Sequence, residues 1–419
     1  MASWSLSRRI IFRFLCLYFV LYCMPGDGRV NILSPIPGSN WLAKPWTWLM
    51  HVICPWVAVN VFHLTGQRTT YFLTGSGDTT LGWVENLLFL VIAAAGTIVW
   101  SVLDRQRAGY RGLHGWLRLL VRYTLALTLF AYGFAKIAPL QFQPARFSRL
   151  VEPYGEFSSM GVLWSFMGAS LPYTMLAGSA EAIGGILLLF RRTTTLGALF
   201  SFGVLANVVA LNFCYDVPVK LYSTNLLLMC VFLAAPDLRR LYDLLILNRP
   251  VFSGESPSVN FQRPALRTAA KCLWAAYCLW VLGAQAYEAR QGYLATYVTA
   301  RHQDVYGLYD VESYQRDGPE TAARNAPRKL WFLDQGMGWR TADDKVITYS
   351  GKYNASARTL TFNNNSGTIT WTRTDPDHLT FSGMVGMESV SARLTRIDTA
   401  RMRLNSTGFH WVQEFPNNR

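Results

Sequence analysis

Charge is scarce in this sequence. Only 15% of its 419 residues are Asp, Glu, Lys or Arg, and 51% are hydrophobic. Soluble globular domains average roughly 25% charged residues. That balance excludes a single soluble enzyme domain, a disordered chain, a collagen and a small disulfide scaffold. Familiar chemical motifs are missing too. The chain contains no phosphate-binding P-loop, no G-x-G-x-x-G, no H-E-x-x-H, no C-x-x-C and no G-x-S-x-G. No flavin, haem or iron–sulfur motif is visible. The six histidines, at positions 51, 63, 114, 302, 378 and 410, are scattered, so their spacing supports no metal site. Of seven cysteines, Cys16, Cys23, Cys230, Cys272 and Cys278 sit inside apolar runs and read as packing groups. Cys54 and Cys214 both fall near one membrane face, where a disulfide is chemically allowed.

Long apolar runs and aromatic residues are what the chain does have. Fifteen Trp, 20 Tyr and 24 Phe suit the aromatic belts of a membrane protein. Crossing about 30 Å of hydrocarbon takes about 20 residues in a helix. Six runs qualify: 81–103, 116–137, 171–190, 193–213, 219–238 and 268–287. A seventh, 10–24, is short and contains Arg13. It follows Arg8 and Arg9, and no small-x-small cleavage site comes after it, so an uncleaved signal anchor is favoured over a signal peptide. Residues 45–64 are aromatic but broken by Pro55 and His51, and read as an interfacial or re-entrant helix.

The net charge of +14 is unevenly placed. Residues 1–288 hold a net +11 and residues 289–419 a net +3. The excess therefore lies with the apolar part, which argues for topology and against a nucleic-acid partner. With the N-terminus in the cytoplasm and seven alternating spans, sixteen basic residues fall on the inner side and seven on the outer. Arg105, Arg107, Arg191, Arg192, Arg239 and Arg240 are among the inner ones. This is the positive-inside bias.

After Tyr287 the pattern changes. Residues 291–328 read as a polar linker. From about Leu330 apolar residues alternate with period two, at 329–333, 346–349, 359–362, 368–372, 378–381, 390–394 and 408–412. Asn363 to Gly367 and Asp375-Pro376-Asp377 are turn signals. Seven short strands predict an antiparallel barrel or sandwich over 329–419, outside the cytoplasm. The expected organisation is N-terminal spans and an outer loop (1–115), a helical bundle (116–240), a cytoplasmic loop and last span (241–290), the linker, and the β domain.

Polar residues inside apolar runs are the default functional candidates, because lipid makes them costly. Glu181 lies mid-span among Gly178, Gly184 and Gly185, which allow close helix approach. Lys136, at the end of the preceding span, is one candidate partner. The two read either as a structural pair or as a proton or ligand site. Asn207, Asn212 and Asn225 add polar groups to the next two spans, with Asn207 read as a bond between helices. Tyr215, Asp216 and Tyr222 lie in an outer loop, and Glu152 and Tyr154 in another. Together with Lys136 these are weak candidates for an outward cleft holding an amphiphilic, quinone-like molecule. Glu85 reads as solvated and His51 as an interface anchor.

The stretch 116–237 resembles the DoxX family of small bacterial membrane proteins. The resemblance rests on Tyr132-Gly133-Phe134-Ala135-Lys136, on Ala180-Glu181-Ala182-Ile183-Gly184-Gly185 with the leucines that follow, and on four closely spaced apolar spans. It implies a four-helix bundle in the bacterial cytoplasmic membrane, with Lys136 and Glu181 at the family's polar positions. It also implies a redox-associated role, a quinone or a small thiol or sulfur compound as ligand, and a redox partner protein. The full expectation is a mainly α polytopic membrane protein, a DoxX-like bundle plus about three further spans, carrying a C-terminal all-β domain. The alternative is a non-catalytic envelope protein whose bundle anchors a β domain that binds lipid or a partner. A transporter ranks last, since no inverted repeat is apparent.

Overall fold

The computed structural model describes residues 4–72, 74–252, 263–298, 303–316, 326–341, 343–407 and 413. Its α-helices are α1 (Leu6–Tyr22), α2 (Asn40–Asn60), α3 (Thr80–Leu103), α4 (Arg111–Ile137), α5 (Phe147–Leu150), α6 (Ser159–Ala169), α7 (Leu171–Leu189), α8 (Thr194–Cys214), α9 (Lys220–Ala234), α10 (Leu238–Leu245), α11 (Pro264–Tyr293) and α12 (Arg403–Ser406). The chain forms two compact units. One joins Met1–Gln141 to Pro172–Tyr293, and the other joins Phe142–Leu171 to Leu294–Arg419.

Among the described residues, five helices are long and apolar enough to cross a membrane: α3, α4, α7, Arg191–Cys214 and Lys220–Leu245. They match five of the six long runs read from the sequence. The sixth run is helical as part of α11, but that helix is not among the five. The short run before Met24 forms α1, whose 17 residues span roughly 26 Å at 1.5 Å per residue. Residues 45–64 fall largely in α2, which runs on through Pro45 and Pro55. Each proline there removes one backbone hydrogen bond.

The first unit is organised around α4. That helix is the most enclosed of the five apolar helices, and α3 the least. Val121, Leu125 and Phe130 of α4 pack with Phe19, Phe89, Leu188, Met229 and Leu233 in one core. Arg13 explains how a charge survives inside α1. Its Nε and Nη2 donate to the Tyr110 hydroxyl at 2.9 and 2.7 Å, Nη1 to Ser101 Oγ at 2.8 Å, and Nη2 to the Asp104 carbonyl at 2.7 Å. That carbonyl ends α3, so the guanidinium also meets the negative end of a helix.

The second unit is a closed antiparallel barrel of β1 (Gly307–Arg316), β2 (Pro327–Leu333), β3 (Gly336–Thr341), β4 (Val346–Asn354), β5 (Thr359–Phe362), β6 (Thr368–Arg373), β7 (His378–Val385) and β8 (Glu388–Ile397). Consecutive strands pair, and β1 closes on β8 with Leu308 opposite Ile397 and a bulge between Val311 and Ser313. Inward residues fill the interior: Tyr309, Leu330, Phe332, Met337, Leu360, Phe362, Ile369, Leu379, Phe381 and Leu394 are all buried. Side chains of this size fill an eight-stranded barrel.

Two strands escape the sequence reading. β1 lies inside the stretch read as a linker, because Asp310, Glu312 and Arg316 mask its alternation. β3 carries Gly336 and Gly338, which weaken any strand signal. The expected strand at 408–412 lies outside the described residues. Phe142–Leu171 joins this unit too: the Arg340 guanidinium donates to the Val151 carbonyl at 3.3 Å, and Phe147 packs on Tyr306 at 5.1 Å. A break in the expected bundle at 142–171 was not legible, since α6 is as apolar as its neighbours.

The predicted turn at Asp375 forms. Its carboxylate accepts from the backbone N–H of Asp377 and His378 at 2.8 and 2.9 Å and meets His378 Nδ1 at 2.9 Å. The imidazole bond and these N–H donors hold the Asp375 carboxyl below its usual range, and Asp375 in turn holds His378 above its own. The raised histidine stabilises the fold at low pH and loses that effect as pH rises through its folded midpoint. The depressed carboxyl does the reverse, losing its effect as pH falls. Their joint contribution is therefore confined between the two midpoints. In Asp375→Asn the His378 midpoint, followed by NMR, should fall toward the ordinary value of about 6.5. An unmoved midpoint would contradict the pairing.

Candidate functional site

A cavity of about 550 Å³ opens among the helices of the first unit. Its walls come from the segment after α1, from α2, from the loop between α2 and α3, and from α3, α4 and α9. Tyr22, Tyr71, Phe72, Tyr132 and Tyr222 supply aromatic surface, and Asp27, Arg29, His51 and Glu85 supply charge.

Each wall has a local cause. After α1 the chain turns at Gly28, whose φ of +70° favours glycine, and Arg29 folds back over Gly26. Arg29 Nη2 donates to Glu85 Oε1 at 2.8 Å, and its guanidinium faces the Tyr22 and Phe89 rings at 5.2 and 5.5 Å. Glu85 is thus ion-paired, which corrects its reading as a solvated residue. His51 is likewise more than an anchor. Its Nε2 meets Asp27 Oδ2 at 2.6 Å, and its ring stacks on Tyr71 at 4.0 Å between centres.

The α2–α3 loop is latched to α9. Gly77 and Asp78 both donate their N–H to the Pro218 carbonyl, at 2.7 and 3.1 Å. The Asp78 carboxylate accepts from the N–H of Lys220 and Leu221, at 2.8 and 2.9 Å. It therefore caps the first turn of α9, where free N–H groups and the helix dipole favour an anion. This cap sets Leu221 and Tyr222 in the cavity wall. Tyr222 is fixed further by Val30 N–H and Thr128 Oγ1, each 3.2 Å from its hydroxyl. Deeper in, Tyr18, Asn86 and Asn225 form one polar cluster, with the Tyr18 hydroxyl 2.5 Å from Asn225 Oδ1 and 2.9 Å from Asn86 Oδ1.

Beside the cavity, Lys136 and Glu181 form an enclosed ion pair. Lys136 Nζ donates to both carboxylate oxygens at 2.9 and 2.8 Å, and their side chains are 9% and 5% exposed. α4 and α7 touch through glycine here. A Cβ on Gly178 would lie 2.6 Å from the Gly133 carbonyl oxygen and 2.6 Å from Lys136 Cβ. Lys136 Nζ also stands 5.5 Å from the centre of the Tyr132 ring, which lines the cavity.

The expected site residues therefore divide. Lys136 and Glu181 meet, Tyr222 lines the cavity, and Asn225 backs it through Asn86. Asn212 is buried and bonds Ser223 Oγ at 3.0 Å, tying α8 to α9. Asn207 faces outward on α8 with no hydrogen bond among the described residues, so the expected bond between helices is not formed. Tyr215 is outside the lining, and exposed Asp216 pairs with Lys220 at 2.7 Å. Glu152, paired with Arg149 at 2.6 Å, and exposed Tyr154 belong to the other unit. Cys54 and Cys214 are both free thiols, the first buried and the second exposed. Among the described residues no group of three or more His, Cys, Asp or Glu is placed to hold a metal ion.

Sequence reasoning missed Asp27, Arg29, Tyr71, Asp78 and Asn86. One signal was available: charged residues clustered around glycines in the segments after α1 and before α3.

Among the described residues these features define a mostly helical protein with five helices long and apolar enough to cross a membrane and a closed eight-stranded barrel. The chain belongs to the family of the uncharacterized protein YwoB of Bacillus subtilis, to which it is 34% identical over 122 residues, 28% of this chain and 75% of YwoB. No family model matches the chain, and no solved structure does.

Proposed function

We propose that this chain is a multi-pass protein of the bacterial cytoplasmic membrane, DoxX-like in its helical part. Its role is that of a redox-associated subunit holding a quinone or a small thiol or sulfur compound. Its N-terminus lies in the cytoplasm and its barrel outside. The inner-side bias of arginine supports the orientation, and the five apolar helices support insertion. Electrons reach the site from a partner protein or from the small thiol itself.

The cavity carries this reading. Its volume of about 550 Å³ falls within the usual range for small-molecule sites, and its aromatic walls with a few placed polar groups are what such sites share. A lipid-soluble ring finds stacking surface in Tyr22, Tyr71, Tyr132 and Tyr222. Lys136 and Glu181 hold α4 and α7 together next to Tyr132, and so act as positioning residues for that wall.

The test is solvent extraction of the full-length chain purified in detergent, followed by chromatography. We expect about one quinone per chain, and a loss of it in Thr47→Trp, which places a large ring in the cavity lining. A preparation of the unaltered chain free of quinone overturns the quinone as ligand, and one that also binds no small thiol or sulfur compound overturns the reading.

The alternative of an envelope anchor keeps one supporting observation. The barrel is a closed unit with a filled interior. A filled core favours docking of a partner on its outside over uptake of a lipid within.

A further inference from the structure

The charge on the cavity wall selects among the ligands considered above. Its lining holds two carboxylates, Asp27 and Glu85, beside the Arg29 guanidinium and the His51 imidazole that is paired with Asp27. That guanidinium is engaged, with Glu85 on its Nη2 and the Tyr22 and Phe89 rings beside it. Each carboxylate uses one oxygen: Glu85 Oε1 for Arg29 and Asp27 Oδ2 for His51. Among the described residues, Glu85 Oε2 and Asp27 Oδ1 have no hydrogen-bond partner. An ionised carboxylate oxygen only accepts. A molecule that displaces water from these two oxygens must therefore donate to them, or leave them desolvated and unpaired at considerable cost.

Resting on the reading of the cavity as a quinone-class site, we propose that it takes the reduced ring, which bears hydroxyls, in preference to the oxidised ring, and that it rejects sulfur oxyanions. A quinol donates its O–H groups to Glu85 Oε2 and Asp27 Oδ1. A quinone presents carbonyls, which accept and cannot satisfy a carboxylate. Thiosulfate brings negative charge to a wall that already holds Asp27 and Glu85, where Arg29 is engaged by Glu85 and His51 by Asp27. The apolar tail of a quinol follows the tyrosine surface. Asn86, held through its Oδ1 by Tyr18 and Asn225, contributes a fixed amide on the same wall.

The experiment is anaerobic isothermal titration of the full-length chain in detergent with a decyl-tailed benzoquinol, the matching benzoquinone, and thiosulfate. The quinol should bind about tenfold more tightly than the quinone at neutral pH, and thiosulfate should give no binding heat. Asp27 is half-exposed, so Asp27→Ala keeps the fold, as circular dichroism will show, and should cut the preference to about threefold or less. Equal or tighter binding of the quinone overturns the inference and leaves the quinone-class reading standing. Binding of neither ring removes that reading and the inference with it. Thiosulfate that binds and is displaced by the quinol overturns the charge argument. A preference unchanged in Asp27→Ala overturns the place given to Asp27.

Discussion

Glu181→Ala should cost the helical unit about 3–5 kcal/mol of stability, the usual penalty for stripping an enclosed ion of its counter-charge. Lys136 lies 2.8 Å from the carboxylate, and both side chains are at least nine-tenths enclosed, so water cannot replace the lost partner. The double variant Lys136→Met with Glu181→Leu should recover most of the loss, because it removes both desolvation penalties along with the attraction. Its methionine and leucine still fill the gap beside Gly133 and Gly178. Denaturant unfolding in detergent, followed by circular dichroism, gives the comparison. A double variant as unstable as Glu181→Ala would mean that the carboxylate does more than balance the lysine.

Phe332→Ala should destabilise the barrel by a similar amount, about 3–5 kcal/mol for a buried aromatic ring cut back to a methyl group. Phe332 is fully buried, with Tyr309 and Phe381 edge-on at 5.9 and 6.3 Å between ring centres. Hydrogen exchange should show protection falling across β1, β2 and β7 while α4 keeps its own. Parallel loss in α4 would contradict the division into two separate cores.

Much of this fold was legible, for reasons that differ between its parts. The five apolar helices announce themselves because a 20-residue run has few other uses. The barrel shows through strands with one wet face, as in Thr359–Phe362 and Thr368–Arg373, where inward and outward residues alternate. It fails to show at β3, where both faces are covered and every residue is buried. Alternation cannot mark a strand that has no exposed side. The pairing of Lys136 with Glu181 was legible as one option, because a carboxylate in mid-span needs a partner and few exist.

The cavity was not legible. Its charges come from segments distant in the chain, with Arg29 and Glu85 56 residues apart. Nothing in local spacing ties them together. Asp78 is a further case: it caps a helix 142 positions away. Helix caps are usually read from the residues just before the helix, and here those are Pro218 and Val219, neither of which has a side chain able to cap.

The topology we propose has the helical unit crossing the membrane and the barrel outside the cytoplasm. Met387, at the β7–β8 turn, is 97% exposed and gives a direct probe. Met387→Cys, treated in intact spheroplasts with a membrane-impermeant maleimide, should label well above the parent chain, whose own exposed thiols set the background. Added labelling that appears only after lysis would place the barrel in the cytoplasm and contradict the account.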